Sequence, residues 1–259
     1  MSVDIHPTAV IEPGAELGTD VKVGAYSVIG PNVKIGDGTQ LFSQVSIDGH
    51  TTIGQNNQLF PFTAIGGEPQ SVSYKGEPTE VLIGDNNIFR ENITVNRGTM
   101  DDNGITRIGS NNLFMAYVHI AHDCQLGSDL LFSNNASLAG HVHVGDYVVL
   151  AGYTLIHQFV TIGQHSFCGV NTYCLQDVPP FMLVAGNKAI THGINVRGLR
   201  RRGFTKEDTL DLKRAYKLIY RSGHTVQRAL EELKQHDWQS EHVATLANFI
   251  SNSKRGVVR

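Results

Sequence analysis

The segment with the most reactive side chains is HIAHDC, residues 119–124. It places His119 and His122 three positions apart, with Asp123 directly after the second histidine. Three kinds of chemistry fit these residue types. Histidines can be hydrogen-bonded parts of a core, they can hold zinc together with water, or His122 can act as a general base whose ring is oriented by Asp123. The choice depends on the elements that carry the segment.

A repeat of six residues runs through the chain and includes this segment. A large apolar residue or a cysteine stands at every sixth position over 5–65, 83–95 and 108–174, often with glycine next to it. Such a period fits neither a helix nor a long alternating strand, but it fits a short strand followed by a turn. The interruptions at 66–82 and 101–107 are therefore predicted to be loops that leave the repeat.

The register of the repeat resembles that of the hexapeptide-repeat family. An aliphatic residue is followed four positions later by a small or β-branched residue, as in Leu138 and Val142. The resemblance implies a left-handed parallel β-helix, with three hexads in each coil of about 18 residues. We therefore predict a mainly β fold. Its β-helix covers 1–186, and a linker with a small α-helical C-terminal region covers 187–259.

Helical signals begin after the repeat stops at Asp-Val-Pro-Pro, residues 177–180, which cannot continue the strand register. A linker is expected to run to about Arg202. Thr205 and Asp208 then resemble a capping box. A second helix from Thr225 to about Gln235 and a third over 240–251 follow from apolar residues at helical spacing.

In this register, the histidines of HIAHDC avoid the inward positions. Counting by coils of about 18 residues predicts one polar strip on the outer face of the prism. Its members are His119, His122, Asp123, His141, His157 and Gln158. Gly140 lies on the same line, and its N–H could meet an oxyanion. A zinc site is the competing interpretation, because gamma-type carbonic anhydrases of this repeat class bind zinc. Their His-x-x-x-x-His spacing is missing here, so we predict no metal.

Composition and charge exclude several classes of protein. No apolar run approaches a membrane span, and the N-terminus lacks the features of a signal peptide, so a cytoplasmic protein with reduced cysteines is expected. Residues 197–228 carry ten Lys or Arg against three acidic residues, in a chain of net charge −3. This basic segment is either a solvated face or a surface for an acidic partner. Nucleic acid is not expected, because the segment is short and poor in aromatic residues.

Longer segments narrow the resemblance. HIAHDC, NNASLAGHVHVGD, LIHQF, QDVPPF, GINVRGLRRRGF, AYKLIYRSG and RGVVR resemble the UDP-N-acetylglucosamine O-acyltransferase family of lipid A biosynthesis, over residues 5–259. This implies a homotrimer with active sites between neighbouring prisms. It also implies transfer of a 3-hydroxyacyl chain from acyl carrier protein to the 3-hydroxyl of UDP-N-acetylglucosamine. No cofactor is implied beyond the carrier's phosphopantetheine.

The resemblance also assigns roles to residues. His122 matches the general base, Asp123 its partner and Gly140 the oxyanion donor. The positions that match the binding of the sugar nucleotide, the acyl head or the phosphopantetheine arm are Gln70, His119, His141, His157, Gln158, Asn195, Arg201 and Arg202. The residues expected to contact the carrier protein are Lys213, Arg214, Lys217 and Arg221.

Val170 matches a position that limits the acyl length. For a straight groove from His122 along the prism, the rise of about 13 Å and about 1.25 Å per carbon predict chains of about 10–12 carbons.

The chain departs from the family's pattern at several positions near the expected sugar. Ser71 and Ser73 replace the usual Asp and Lys before GEPT, Asn96 replaces a histidine, and Arg197 replaces a glutamate. The reaction class is therefore better supported than the sugar. Three alternatives stay open: transfer to a 3-amino UDP-sugar, a metal-dependent lyase or hydratase on the same prism, and a non-catalytic scaffold.

Overall fold

In the computed structural model, which describes residues 3–259, the hexad repeat forms a three-sided prism of parallel strands. In chain order the strands are β1 (Asp4–Ile5), β2 (Val10–Ile11), β3 (Glu16–Leu17), β4 (Lys22–Val23), β5 (Val28–Ile29), β6 (Lys34–Ile35), β7 (Gln40–Leu41), β8 (Ser46–Ile47), β9 (His50–Ile53), β10 (Gln58–Leu59), β11 (Ala64–Gly67), β12 (Glu80–Ile83), β13 (Ile88–Phe89), β14 (Thr94–Asn96), β15 (Ile105–Ile108), β16 (Leu113–Phe114), β17 (His119–Ile120), β18 (Gln125–Leu126), β19 (Leu131–Phe132), β20 (Ser137–Leu138), β21 (His143–Val144), β22 (Val149–Leu150), β23 (Leu155–Ile156), β24 (Thr161–Ile162), β25 (Phe167–Cys168), β26 (Tyr173–Cys174), β27 (Met182–Ala185) and β28 (Ile190–Ile194). The helices are α1 (Val196–Arg201), α2 (Lys206–Tyr220), α3 (Val226–Gln235) and α4 (His242–Asn252).

Apart from the final pair β27 and β28, the strands pair in parallel with the strand one coil away, which produces three walls. Wall 1 contains eleven strands and begins with β1, β4 and β7; wall 2 contains nine and begins with β2, β5 and β8; wall 3 contains eight and begins with β3, β6 and β9. Leu113 thus pairs with Leu131, and Leu131 with Val149. The six-residue step therefore moves the chain to the next wall, and three steps return it to the same wall.

The repeated apolar residues fill the interior of the prism. Phe89, Phe114 and Phe132 are completely buried, with successive ring centroids 5.1 and 5.2 Å apart. Ile5 is 41% exposed because it belongs to the terminal coil, which has a neighbouring coil on one side only. The interior is thus a stack of matched layers, in which each coil covers the apolar side chains of the next.

Three edges connect the walls. We call the edge between walls 2 and 3 the His122 edge (His122, Gly140, Gln158). The edge between walls 3 and 1 is the Tyr147 edge (Asp129, Tyr147, His165), and the edge between walls 1 and 2 is the Val170 edge (Asn134, Gly152, Val170).

Most turns contain one residue with positive φ, including large side chains such as Tyr147 and Tyr153. This conformation costs roughly 1–2 kcal/mol per residue. It recurs on all three edges, so it belongs to the architecture and not to one site.

Both loops leave the prism at the His122 edge. The first, residues 68–79, joins β11 to β12, and the second, residues 97–104, joins β14 to β15. The predicted bounds of 66–82 and 101–107 were wrong. The predicted first loop is shortened at its start by β11 and at its end by β12, and the predicted second loop is shortened at its end by β15. Each of these strands has four residues, and β12 pairs along its full length with β9 and β15.

The C-terminal region contains more regular structure than predicted. The expected linker to about Arg202 was wrong, because β27 and β28 form an antiparallel hairpin on wall 1 and α1 follows directly. The capping box of Thr205 and Asp208 and the cap at Thr225 are confirmed. The helix predicted over 240–251 is α4, which begins at His242, two residues later than predicted. The division at residues 186 and 187 stays a prediction, and it falls in the turn of the hairpin.

The last residues return to the prism, where the N–H of Val258 donates to the carbonyl of Asp177 at 2.9 Å. Among residues 3–259, none of the helices has the length and apolar character needed to cross a bilayer.

Candidate active site

His122 and Asp123 lie in the turn between β17 and β18. The Nδ1 atom of His122 is 2.8 Å from Oδ2 of Asp123, whose side chain is completely buried. Because a carboxylate accepts hydrogen bonds, the ring proton belongs on Nδ1 and Nε2 keeps its lone pair. The pair can therefore act as a general base in which Nε2 accepts the proton.

Asp123 is held by two threonines that the sequence analysis missed, Thr99 at its carboxylate and Thr106 at its backbone N–H. The N–H of Thr99 donates to Oδ1 at 2.8 Å, and the Thr99 hydroxyl donates to Oδ2 at 2.7 Å. The N–H of Asp123 donates to Oγ1 of Thr106 at 2.8 Å. A buried charge needs such donors. The need for donors was foreseeable from a buried aspartate, but their identity depends on the path of the second loop.

Gly140 lies one coil beyond His122 on the same edge. A Cβ atom built on it would be 2.5 Å from Cε1 of His122, so a side chain here would displace the ring. Throughout residues 3–259, the N–H of Gly140 has no hydrogen-bond acceptor. A free N–H beside the ring of a base is suited to stabilising an oxyanion that forms there.

Two further predicted histidines surround this pair. The ring of His141 stacks on Phe159 with 4.5 Å between centroids and meets the ring of His122 edge-on at 5.1 Å. The Nδ1 atom of His119 is 2.7 Å from the hydroxyl of Thr94. Burial, and then the charge of a protonated His122, lower the pKa of His119, which favours the neutral form of its ring.

The strip continues towards the C-terminus at His157 and Gln158. His157 is half-buried, and its Nδ1 lies 3.3 Å from Nη2 of Arg255, which the sequence analysis did not identify. Gln158 is exposed. The structure thus brings five of the six residues of the predicted strip onto the His122 edge and places His119 on the adjoining strand β17.

A metal ion could be held by His122, Asp123 and His141, whose potential ligand atoms all lie within 4.8 Å of one another. Asp123, however, already accepts hydrogen bonds from His122 and from two donors of Thr99. A metal bound through Oδ2, which accepts from both His122 and the Thr99 hydroxyl, would have to replace one of these hydrogen bonds. The geometry therefore favours an orienting carboxylate over a ligand, and a site without metal stays a prediction.

Comparisons with known proteins give the family. Residues 177–258 match the family model described as UDP N-acetylglucosamine O-acyltransferase, domain 2, and residues 2–37 match the bacterial transferase hexapeptide model. A relative from Alkalilimnicola ehrlichii, named acyl-[acyl-carrier-protein]--UDP-N-acetylglucosamine O-acyltransferase, is 56% identical over 98% of this chain and 99% of its own. One of the same name from Herminiimonas arsenicoxydans is 52% identical at the same coverage. The chain belongs to the UDP-N-acetylglucosamine O-acyltransferase family.

Solved structures of the family agree with the fold. The enzyme from Moraxella catarrhalis is 42% identical with a TM-score of 0.95, over 98% of this chain and 99% of that one. The one from Arabidopsis is 35% identical with a TM-score of 0.86, over 98% and 100%. The predicted left-handed parallel β-helix with a small α-helical C-terminal region is confirmed.

The residues expected to bind the nucleotide lie elsewhere on this family fold. Arg202 donates from Nη1 to the carbonyl of Tyr147 at 3.1 Å, and its guanidinium lies 4.6 Å from the centroid of that ring. Asn195 accepts from the N–H of Gly198 and donates to the carbonyl of His165. Arg201 is exposed. Asn195 and Arg202 therefore contact the Tyr147 edge and not the His122 edge.

Val170 is 70% exposed on the Val170 edge. The assumed straight groove along one prism from His122 to Val170 was wrong. Two residues share an edge only when a whole number of coils separates them. From His122 to Val170 the chain makes two full coils and then passes two more walls, so it ends on a different edge. A role of Val170 in limiting the acyl length therefore requires another route between the two positions.

Three of the four departures from the family's pattern lie in the loops or directly beside them. Ser71 and Ser73 lie in loop 68–79, where the hydroxyl of Ser73 donates to Asp101 of the other loop at 2.6 Å. Asn96 is buried at the end of β14. Gln70 is exposed on loop 68–79, and Arg197 is exposed on α1.

The four cations predicted to contact the carrier protein are all exposed on or directly after α2. They are Lys213, Arg214, Lys217 and Arg221. A cavity of about 720 Å³ lies between this helix and the segment that contains Trp238. Arg214 lies 3.5 Å from Asp211, and the others form no ion pair within residues 3–259. The prediction of the basic face is consistent with this exposure, and the partner stays a prediction.

Proposed function

We propose that this protein transfers a 3-hydroxyacyl chain from acyl carrier protein to the 3-hydroxyl of UDP-N-acetylglucosamine, the first step of lipid A biosynthesis. The observation that supports it most is the His122–Asp123 pair beside the free N–H of Gly140. Acyl transfer needs a base for the hydroxyl and a donor for the oxyanion. The names of the relatives specify the same acyl donor and sugar nucleotide.

Each group has one task in this proposal. Nε2 of His122 removes the proton from the sugar hydroxyl, and the oxygen attacks the thioester carbonyl. The N–H of Gly140 stabilises the oxyanion. When the tetrahedral intermediate collapses, the C–O bond remains, the C–S bond breaks, and the imidazolium returns its proton to the thiolate. Asp123 stabilises the imidazolium between these steps. No cofactor takes part except the phosphopantetheine that carries the acyl chain.

A homotrimer is part of the proposal, because the assigned residues occupy all three edges of one prism. The base lies on the His122 edge, Arg202 contacts the Tyr147 edge, and Val170 lies on its own edge. One chain cannot turn all three towards one substrate, whereas neighbouring prisms can bring different edges together. Large exposed aromatic side chains line the Val170 edge, as expected of a covered surface: Tyr26, Phe62, Tyr117 and Tyr153.

The acidic carrier protein would dock on the basic face of α2 by charge complementarity. The predicted cytoplasmic location belongs to the same proposal.

Mass spectrometry of the products tests the reaction. The enzyme would be incubated with UDP-N-acetylglucosamine and 3-hydroxyacyl carrier proteins of 10, 12 and 14 carbons. The expected product is a base-labile ester on the sugar. Absence of an acylated sugar with every donor, in a protein shown to be folded, would contradict the proposal.

A 3-amino UDP-sugar is a second candidate, supported by Asn96. Its Nδ2 donates to the carbonyl of Glu68 at 2.7 Å, which fixes the orientation of the amide, and its buried Oδ1 has no donor within residues 3–259. Asn96 follows Val95, which pairs with Ile120 one coil away and thus close to His122. An acceptor here suits a substrate amine. If this second candidate is right, the ratio of kcat/KM for the amino sugar to that for the hydroxyl sugar exceeds one and falls in Asn96→His. A wild-type enzyme that uses only the hydroxyl sugar excludes this candidate.

A further inference from the structure

Loop 97–104 contacts the candidate catalytic pair at a residue that substrate binding does not explain. Thr99 is 2% exposed, and both of its donors point at the carboxylate of Asp123, at 2.8 and 2.7 Å. The loop is one of the two insertions in the repeat, so this contact is not produced by the hexad pattern. It must be supplied by the loop itself.

The same loop also contacts His141. Oδ2 of Asp102 lies 3.5 Å from Nδ1 of His141, and Oδ2 of Asp123 lies 3.7 Å from Nε2 of the same ring. The His141 ring is therefore held between two carboxylates, one of which belongs to the loop. The side chain of Asp102 is 40% exposed, so this pair is weaker than the buried contact of Thr99.

Loop 97–104 is itself anchored on loop 68–79. Arg97 donates to the hydroxyl of Tyr74 at 2.8 Å and to the carbonyl of Gly66 at 2.7 Å. Asp101 accepts from Ser73 at 2.6 Å. With the loop fixed at Arg97 and at Asp101, on either side of Thr99, it can hold Thr99 and the adjacent Asp102 in place.

We propose that loop 97–104 positions the catalytic pair, with Thr99 as the positioning residue for Asp123 and Asp102 as the weaker one for His141. This inference rests on the proposed function for the roles of His122 and Asp123. Without the Thr99 hydroxyl, the carboxylate accepts two hydrogen bonds instead of three, so its orientation towards Nδ1 of His122 is held less firmly. Its negative charge is then shared with two donors only, and His122 receives a larger part of it.

Thr99→Val tests the proposal, because valine keeps the shape and the N–H of residue 99 and removes only the hydroxyl. We expect kcat to fall about tenfold or more, the size typical of a hydrogen bond to a charged group, with little change in KM for either substrate. Thr99→Ser should restore most of kcat. Thr39→Val is the matched control, because Thr39 is an equally buried hydroxyl distant from His122; it should leave kcat unchanged.

The pH dependence of kcat/KM distinguishes positioning of Asp123 by Thr99 from a purely structural role, because loss of a structural contact alone would not shift the pH profile. The charged or titratable groups around His122 are Asp123 in its own turn, His119 on β17 and His141 in the turn after β20. When the Thr99 hydroxyl is lost, Asp123 becomes a stronger acceptor and favours the imidazolium. The acidic limb of kcat/KM should therefore move to higher pH in Thr99→Val and return in Thr99→Ser. Asp102→Asn should change kcat only about twofold.

Failure of the inference differs from failure of the proposed function. If the wild type makes no acylated sugar, the function is wrong, and ¹⁵N spectra of the His122 ring still report whether Thr99→Val alters its titration. If the wild type is active and Thr99→Val matches it in kcat and in pH profile, the positioning role of Thr99 is overturned. The same conclusion follows if Thr99→Ser is as impaired as Thr99→Val while both remain folded.

Discussion

The His122 edge and the Val170 edge are built from the same repeat and differ in what their turns carry. At the same position in the turn, the His122 edge has His122, Gly140 and Gln158, whereas the Val170 edge has Asn134, Gly152 and Val170. Both loops leave the prism at the His122 edge, and loop 97–104 gives Asp123 its buried donors. On the Val170 edge, exposed aromatic side chains accompany the turns instead.

The difference shows that the repeat determines the backbone and leaves the turn residues free to vary. A hexad needs its inward apolar residue and a turn that tolerates positive φ; it does not constrain the exposed side chain that follows. Chemistry was therefore placed on one edge without disturbing the stack. Because the turns correspond residue by residue, each substitution on the His122 edge has a natural control on the Val170 edge.

The largest difference is expected between His122→Ala and Asn134→Ala. Loss of a general base typically lowers the rate by about 10²–10⁴. Asn134 lies on an edge that we expect neighbouring prisms to cover, but it is exposed in the single chain and its side chain makes no hydrogen bond within residues 3–259. Its removal should therefore leave the rate within about twofold of wild type. Initial rates and melting temperatures would be measured for both. If His122→Ala kept a third of wild-type activity, the assignment of the base would be wrong.

The next largest difference in kcat is expected between Gly140→Ala and Gly152→Ala, which occupy the same turn position on the two edges. In Gly140→Ala, the new Cβ would meet Cε1 of His122 at 2.5 Å, so the ring must move; a displacement of about 1 Å can cost about 100-fold in rate. In Gly152→Ala, the nearest atom is the carbonyl oxygen of Asn134 at 3.5 Å, which is ordinary contact. We expect a large loss of kcat in the first variant and none in the second. Equal kcat values would show that the position of the ring does not limit the rate.

Outside both edges, the basic face of α2 is expected to affect one substrate only. Reversing Lys213 and Lys217 to glutamate should raise KM for the acyl carrier protein about tenfold at low salt and flatten its salt dependence. KM for the UDP-sugar should barely change. Lys22→Glu, an exposed lysine in one of the first coils of the prism, is the control. Parallel increases in both KM values would point to damage to the fold.

The smallest effect is predicted for Val170→Gly. Each further methylene that can be buried contributes about 0.8 kcal/mol, or about fourfold in affinity. We expect Val170→Gly to prefer longer acyl chains than the wild type does, with an unchanged sugar preference. Competition between 3-hydroxyacyl carrier proteins of different length measures this. An optimum at 14 carbons or more in the wild type, unaffected by the substitution, would place the limiting residue elsewhere.

Local signals in the sequence predicted most of the fold. The hexads gave the prism, and hydrogen-bonding residues at Thr205 and Thr225 gave the starts of α2 and α3. The hairpin of β27 and β28 was missed, because its pairing with wall 1 depends on residues distant in sequence.

The candidate site was predictable where whole coils separate its members, as for His122 and Gly140. Thr99 was missed because it lies in a loop outside the hexad repeat, so its position cannot be found by counting residues along the repeat. Val170 was wrongly placed in line with His122. The number of residues between them is not a whole number of coils, so counting along the repeat would have put Val170 on another edge.

Complementation in mixed assemblies most directly tests the central claim, that the base of one chain works with residues from another edge of a neighbouring chain. One chain would carry His122→Ala and the other Arg201→Glu, each inactive or strongly impaired alone. In co-assembled trimers identified by native mass spectrometry, some sites combine an intact His122 with an intact Arg201 from a different chain. We predict that mixing restores a substantial part of the activity. Mixed trimers with no more activity than the separate variants would show that each site is built from a single chain, and would contradict the account.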